Sequence, residues 1–488
     1  MTFKNVVLII LFIFTMVGPL ATPHSEEIHA ENIGTSPVYH PIYWGKIYGE
    51  GYGYSVDIVK KEINGTTYYE GYIVAGISLK KHALWVLRLN VDGVVIWSKI
   101  YGENMGYKNA IVRFAGDGFI VATDYKGDIL ILNLNLDGSV RWQKRFGGER
   151  EDWPEKIMVR NSSYLIMGET SSFGGNESIW LISLGKDGEM KEQEIIYSSG
   201  NCYGYDIYAA KDGYIIAGKF TNASGSWGLI LKVNSNGMLL WENIYNLTEL
   251  RGITGRIYMN QNTRYLAIGT KESYVGNEDI AVIGIADDGT VLWSRAYDIS
   301  FSDRGYEIKK DYGDYDYNLF AYTNSENPTV LIRIEPDGSL RYWDISHKKP
   351  ESYSYPCGAT DGKFMGEIHL ILEGTNILLV STIVNKDTPQ LCLFLLDSTH
   401  MEFSMYHYGK AKRVNVTSKI IKISGQNISL FTKKTWLKGV ETHFVPQDCS
   451  FEQVIIFNSK EHQGIGLKYI FILVIILILI MSIIMWKK

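Results

Sequence analysis

The sequence predicts an all-β ring of four-stranded sheets, tied to a membrane by one C-terminal helix. Three observations carry that prediction. A line of sequence recurs about every 50 residues, a strand motif recurs in phase with it, and apolar runs stand at both chain ends.

The recurring line is an Asp-Gly turn followed by a Trp and then a Tyr or Phe. Asp92-Gly93 precedes Trp97 and Tyr101, and Asp137-Gly138 precedes Trp142 and Phe146. Asn236-Gly237 precedes Trp241 and Tyr245, and Asp288-Gly289 precedes Trp293 and Tyr297. Two copies vary: Asp187-Gly188 has Glu192 at the Trp position, and Asp337-Gly338 has Tyr342 there with Trp343 beside it. Asp397 with Tyr406 and Asp448 with Phe457 are degenerate copies that keep the offset from Asp to aromatic. The Gly supplies the positive φ of a tight hairpin. The strand after it alternates outward polar groups with inward Trp and Tyr or Phe.

The second motif is a short β-branched and aromatic run bounded by turn residues, which reads as a buried strand. Its clearest copies are Gly71–Gly76, Gly118–Thr123, Ser163–Gly168 and Gly213–Gly218. Weaker ones are Arg264–Gly269, Tyr317–Tyr322, Asn376–Ser381 and Asn427–Thr432. One period then holds four strands. In the third copy they are Trp153–Arg160, Ser163–Thr170, Ser178–Leu184 and Glu189–Tyr197. A four-stranded meander of this length, repeated, is a propeller blade, and blades bury their faces only by stacking on one another. Eight blades are expected, with seven as the alternative because the last copies are degenerate. Trp97, Trp142, Trp241 and Trp293 are expected to wedge between blades as structural residues. Tyr43 to Gly49 reads as a spare fourth strand before the first full repeat, placed to pair into the last blade and close the ring.

The run from Phe146 to Asp152, then Ser163–Gly168, Phe173-Gly174, Trp180 and Asp187-Gly188, resembles the repeat of archaeal and bacterial cell-surface β-propeller proteins. Lys211 to Gly218 follows the same pattern. The resemblance runs from about residue 42 to 457, strongly to about 297. It implies a propeller and surface display. It implies no reaction.

The ends set the topology. Lys4 precedes an apolar run from Val6 to Val17, too short to cross a bilayer, and the small or helix-breaking residues that follow complete a secretory signal over residues 1–30. Cleavage is placed only between Ala21 and Ala30. The ectodomain then spans 31–460, and 461–488 holds the membrane helix and a short tail. Tyr469 to Trp486 carries no charge, has an aromatic residue at each edge, and is followed by Lys487 and Lys488. These features predict one span with a cytoplasmic C-terminus and an extracellular propeller at the cell membrane. Seven Asn-x-Ser/Thr sequons, at Asn64, Asn161, Asn176, Asn222, Asn246, Asn415 and Asn427, fit a glycoprotein. Cys202, Cys357, Cys392 and Cys449 form no CxxC, so disulfides and free thiols both stay open.

The net charge of −5 argues against a nucleic-acid partner. No HExxH, GxSxG or P-loop occurs, and the histidines form no i, i+4 pair. No catalytic residue and no cofactor are therefore assigned. The Asp-Gly to Trp line also resembles the tryptophan-docking motif of quinoprotein dehydrogenase propellers, but no adjacent cysteine pair is present. Asp311, Asp314 and Asp316 are weak candidates for a Ca²⁺ site, against the plainer reading of a solvated turn. The longest interval between copies implies an extra loop over His347–Lys363, whose Tyr353, Tyr355 and Lys363 are candidates for ligand contact at a rim. The reading these residues favour is a binding module for a glycan, peptide or envelope protein. An extracellular enzyme, quinone-dependent or glycan-cleaving, is the alternative, and a passive envelope component is another.

Overall fold

The computed structural model describes residues 44–344 apart from 174, 256–264, 275–276, 300–301, 311–315 and 324–328, and then only the strands named below, to residue 458. Lys363, Asp311, Asp314, the sequons Asn415 and Asn427, and the apolar runs at both ends lie outside the described residues.

The third repeat folds as Asp152–Val159, Ser163–Thr170, Ser178–Gly185 and Met190–Tyr197, within a residue or two of the sequence expectation. Each strand pairs antiparallel with the next. Four more blades have the same plan: residues 105–146, 201–245 and 249–298, with blade one formed from the second half of Trp44–Ile63 through Val95–Tyr101. Blade six is Asp303–Lys310, Tyr317–Thr323, Thr329–Ile334 and Ser352–Tyr355. Innermost strands touch in chain order around the ring, and the innermost strand of the last blade, His369–Glu373, touches that of the first.

Among the described residues the ring has seven blades, so the expectation of eight gives way to the alternative. Blade seven comprises His369–Glu373, Asn376–Asn385 and Thr388–Asp397, and its fourth strand comes from the N-terminal side. Trp44 to Glu50 pairs with Leu395 to Gln390. This is the closing strand that the repeat pattern called for. Once it occupies that edge, no place is left in the ring for a further blade.

The segment read as an eighth copy does something else. Lys412–Arg413, Thr417–Ile420, Gly425–Gln426, Phe431–Lys433, Val440–Glu441, Gln447–Asp448 and Val454–Asn458 each add an antiparallel fifth strand to an outer edge. They take blades six, five, four, three, two, one and seven in that order. The steps run backwards around the ring, five to nine residues at a time. At ~3.3–3.6 Å per extended residue each step reaches roughly 17–30 Å, a distance suited to crossing from one outer edge to the next. Strand edges would otherwise be open templates for pairing.

The expected loop in blade six is also redistributed. Tyr342–Asp344 leaves the blade and pairs with Lys349–Pro350, and Ser352–Tyr355 takes over as outer strand. Tyr353 and Tyr355 therefore lie on a paired strand, covered in turn by Lys412–Arg413, instead of on a rim loop.

The repeat consensus has a physical reading between blades. The Trp97 indole donates to the Leu136 carbonyl, Trp142 to Lys186 and Trp241 to Asp287, at 2.8–2.9 Å. Each acceptor directly precedes the Asp-Gly turn of the next blade. Four residues after the Trp, the Tyr101 hydroxyl donates to the Gly138 carbonyl, Tyr245 to Gly289 and Tyr297 to Gly338, at 2.6–2.8 Å and buried. Tyr48 donates to Gly93 at 2.8 Å, so the closing strand latches blade seven onto blade one by the same device. A buried bond of this kind contributes ~1 kcal/mol, and among the described residues four of the seven ring junctions carry it, while blade two has Phe146, without a hydroxyl, at that position. Gly289 has φ 83°, and a Cβ there would fall 2.9 Å from the Trp241 ring. The turn glycine thus supplies both the backbone shape and the seat for the neighbouring indole. Trp293 packs over Gly338 in the same way, though its indole nitrogen has no acceptor. In blade three Glu192 occupies the Trp register, opposite Ser183, and the Arg160 guanidinium sits 4.5 Å from the Tyr214 ring instead.

Candidate functional site

The innermost strand of each blade lines the axis of the ring, and five carry a β-bulge at one level. The extra residue is Tyr54, Glu155, Tyr205, Arg251 or Tyr306 in blades one, three, four, five and six. A bulge leaves one residue without a cross-strand partner and re-aims its side chain. Opposite the bulge in blades one, three, four and five stands the glycine that ends the second sequence motif, whereas in blade six Ala321 stands there. A Cβ on Gly218 would lie 1.8 Å from the Tyr203 carbonyl oxygen, so in blade four only glycine admits the kinked strand.

The bulged residues are tied to the residue two before them. Tyr203 and Tyr205 stack at 6.4 Å between centroids and 14° between planes. The Trp153 indole donates to Glu155 at 2.9 Å, and Arg251 pairs with Glu249 at 2.8 Å. Arg251 also bridges blades four to six, 4.4 Å from the Tyr205 ring and 5.1 Å from Tyr306. Lys108 lies 3.5 Å over Trp153 and reaches Glu151. Arg304 reaches Glu278 at 2.6 Å.

These groups surround the mouth of the channel on the upper face, where outer strands hand over to the next blade. Acidic groups outweigh basic ones there. Glu169 stands in the fields of Glu155 and Glu177, which Lys108 and Arg251 offset only in part. Glu169 is 2 % exposed, and its Oε1 has no hydrogen-bond partner. Burial first, and then the Glu155 and Glu177 charges, hold its carboxyl well above the usual carboxylate range. Burial likewise raises the Tyr203 and Tyr205 hydroxyls.

One level deeper along the innermost strands lies a layer of charged groups. Asp206 lies 3.8 Å from Lys156 and accepts from the Ile253 amide, and Asp57 accepts from the Phe114 amide. Lys309, paired with Glu307 at 2.8 Å, also feels Asp206 and Arg113 from two other blades. Charged groups therefore lie beneath the aromatic and acidic residues of the mouth.

The sequence-derived candidates fall elsewhere. Asp316 is buried and ion-paired with Arg341, which turns it away from a metal. No group of three or more metal-ligating side chains occurs among the described residues. Cys202 is a free, buried thiol, pushed up to about 11 by burial. Asn64 and Asn161 lie exposed in turns of the lower face, and Asn222 and Asn246 lie exposed on the upper, with Asn176 half-buried there. The mouth residues went unread in sequence because chemistry varies at the bulge. The available signal was the small element x-Gly-x-polar-Ile, as in Tyr203-Gly204-Tyr205-Asp206-Ile207 and Arg304-Gly305-Tyr306-Glu307-Ile308.

The two faces differ in apolar exposure. The strongly exposed large apolar side chains among the described residues are Ile63, Tyr68, Val94, Ile96, Leu136, Met238, Leu240 and Leu292. All flank the turns of the lower face.

No protein-family model and no curated protein matches the chain. Solved structures similar to it include the Dos1 propeller, at 9 % identity over 73 % of this chain and 94 % of that one, with a TM-score of 0.42. Another is the WD40 domain of SCAP from fission yeast, at 11 % identity over 72 % and 84 %, with a TM-score of 0.36. Likeness at this level adds nothing to what the strand topology displays.

Proposed function

We propose that the chain is a binding module, displayed outside the cell on its C-terminal span, whose channel mouth takes a basic segment of a partner protein. The tether and the outward display rest on the sequence of the two ends, and the exposed upper-face sequons at Asn222 and Asn246 agree with them. One observation carries the binding reading: the mouth sets Glu155 and Glu177 beside Trp153, Tyr203 and Tyr205, with the buried Glu169 carboxyl behind them. Carboxylates beside aromatic faces suit a Lys or Arg side chain, which gains both charge pairing and cation–π contact. The mouth's own Lys108 and Arg251 already sit on such faces.

A glycan is the second reading, and the parallel Tyr203–Tyr205 pair favours it as a platform for a sugar ring. Calorimetry on the full chain decides between them. Arg- and Lys-rich peptides should bind, weaken with added salt, and lose about tenfold in affinity, or ~1.4 kcal/mol, in the Glu155→Gln, Glu177→Gln double variant. Binding of neutral oligosaccharides with no binding of basic peptides would replace this reading by the second.

A further inference from the structure

We infer that the lower face of the ring seats directly on the surface of the bilayer, with its apolar fringe in the headgroup region. The inference rests on reading 469–486 as the tether, and it adds an orientation that the tether alone does not require. Three observations point to it. First, scattered apolar exposure is ordinary, but here it is one-sided: Val94, Ile96, Met238 and Leu240 flank lower-face turns, and no comparable side chain is exposed on the upper face among the described residues. Second, the described chain leaves at this face. Val454–Asn458 runs antiparallel to Trp44–Ile47 and ends with Asn458 opposite Trp44, the lower end of an outer strand. Ten residues, 459–468, then separate it from Tyr469, a reach of at most ~35 Å. Third, the hairpin of blade one continues past the level at which the other blades turn, from Lys60↔Tyr69 to Ile63↔Thr66. Four residue pairs project it by ~13 Å, with Ile63 and Tyr68 exposed near its tip. A tip of that height, carrying Ile63 and Tyr68 between the exposed Lys60, Lys61 and Glu62, matches the ~5–10 Å depth at which amphipathic interfacial segments bury.

The lower face also carries the Asp of most Asp-Gly turns together with the exposed Lys60, Lys61 and Lys211, so both signs of charge border the apolar fringe and neither headgroup charge is required. The mouth then points away from the membrane, toward a partner.

Hydrogen exchange on the full chain tests this in phosphatidylcholine nanodiscs against detergent micelles. Peptides over 60–69, 92–97 and 236–241 should exchange about tenfold slower in the discs, and the upper-face loops at 171–176 and 222–225 should not change. Phosphatidylserine in the disc should leave this protection in place. A variant with Ile63→Ser, Tyr68→Ser and Ile96→Ser should stay in the disc and lose it. A chain that enters the disc with these turns unprotected overturns the inference alone, as does a glycan found on Asn64. A chain that fails to enter overturns the tether reading and this inference together. Protection that follows protein concentration instead of lipid would assign the face to a second copy and overturn it too.

Discussion

Glu169 shows how a single residue couples the mouth to stability. Its carboxyl is raised in the folded chain by burial and by two neighbouring carboxylates, so folding favours its protonated form. The stability this gives is present below the ordinary carboxylate range and is lost as pH rises from there through the raised folded value. At neutral pH, where the carboxyl of the unfolded chain is ionised, placing the group in this buried site opposes folding, and Glu169→Gln removes that cost. The variant should therefore melt a few degrees higher than the parent at neutral pH, with the difference vanishing in acid; equal melting curves at neutral pH would show the carboxylate to be compensated. At this scale the sequence was partly legible. The Trp, Tyr and Asp-Gly of each repeat stand at fixed offsets because a latch needs its donor and its acceptor in register. The bulged residues share a position and no chemistry, so nothing in residue type marked Glu155, Tyr205 and Arg251 as one set.

Strands of the blades were legible for the same reason that they fold. Ser163–Thr170 is apolar throughout its middle because it is covered on both faces by neighbouring blades. The belt of fifth strands was not legible. Its members are two to five residues long and are held by backbone pairing, which leaves no periodic pattern in the side chains. Asp448 and Phe457 therefore passed as a degenerate repeat. Thr417–Ile420, paired with Arg295 to Asp298, is one of the longer members and gives the clearest test. Lys419→Pro removes a donor and forces a fixed φ in mid-strand. Amides of residues 295–298 should then lose protection in hydrogen exchange while those of Ile280–Ile285 keep theirs. Unchanged protection at 295–298 would mean that the belt does not cover blade five.

The whole molecule is a ring with two unlike faces. Closure was foreseeable, because Trp44-Gly45-Lys46-Ile47-Tyr48 repeats the spacing of Trp97-Ser98-Lys99-Ile100-Tyr101. The blade count was not, because the sequence does not say whether a late degenerate copy continues the ring or wraps it. The division of faces could emerge only from the fold, which carries the bulged residues, with Glu155 among them, to one end of the ring and the exposed apolar turns to the other. Carboxylate footprinting tests the claim that the mouth is the binding surface most directly. The full chain would be labelled with a carbodiimide and an amine, with and without an Arg-rich peptide, and read by mass spectrometry. The account predicts that Glu155 and Glu177 lose labelling when the peptide is present while Asp92 and Asp137 on the lower face keep theirs. Protection of the lower-face aspartates with Glu155 and Glu177 still labelled would contradict it.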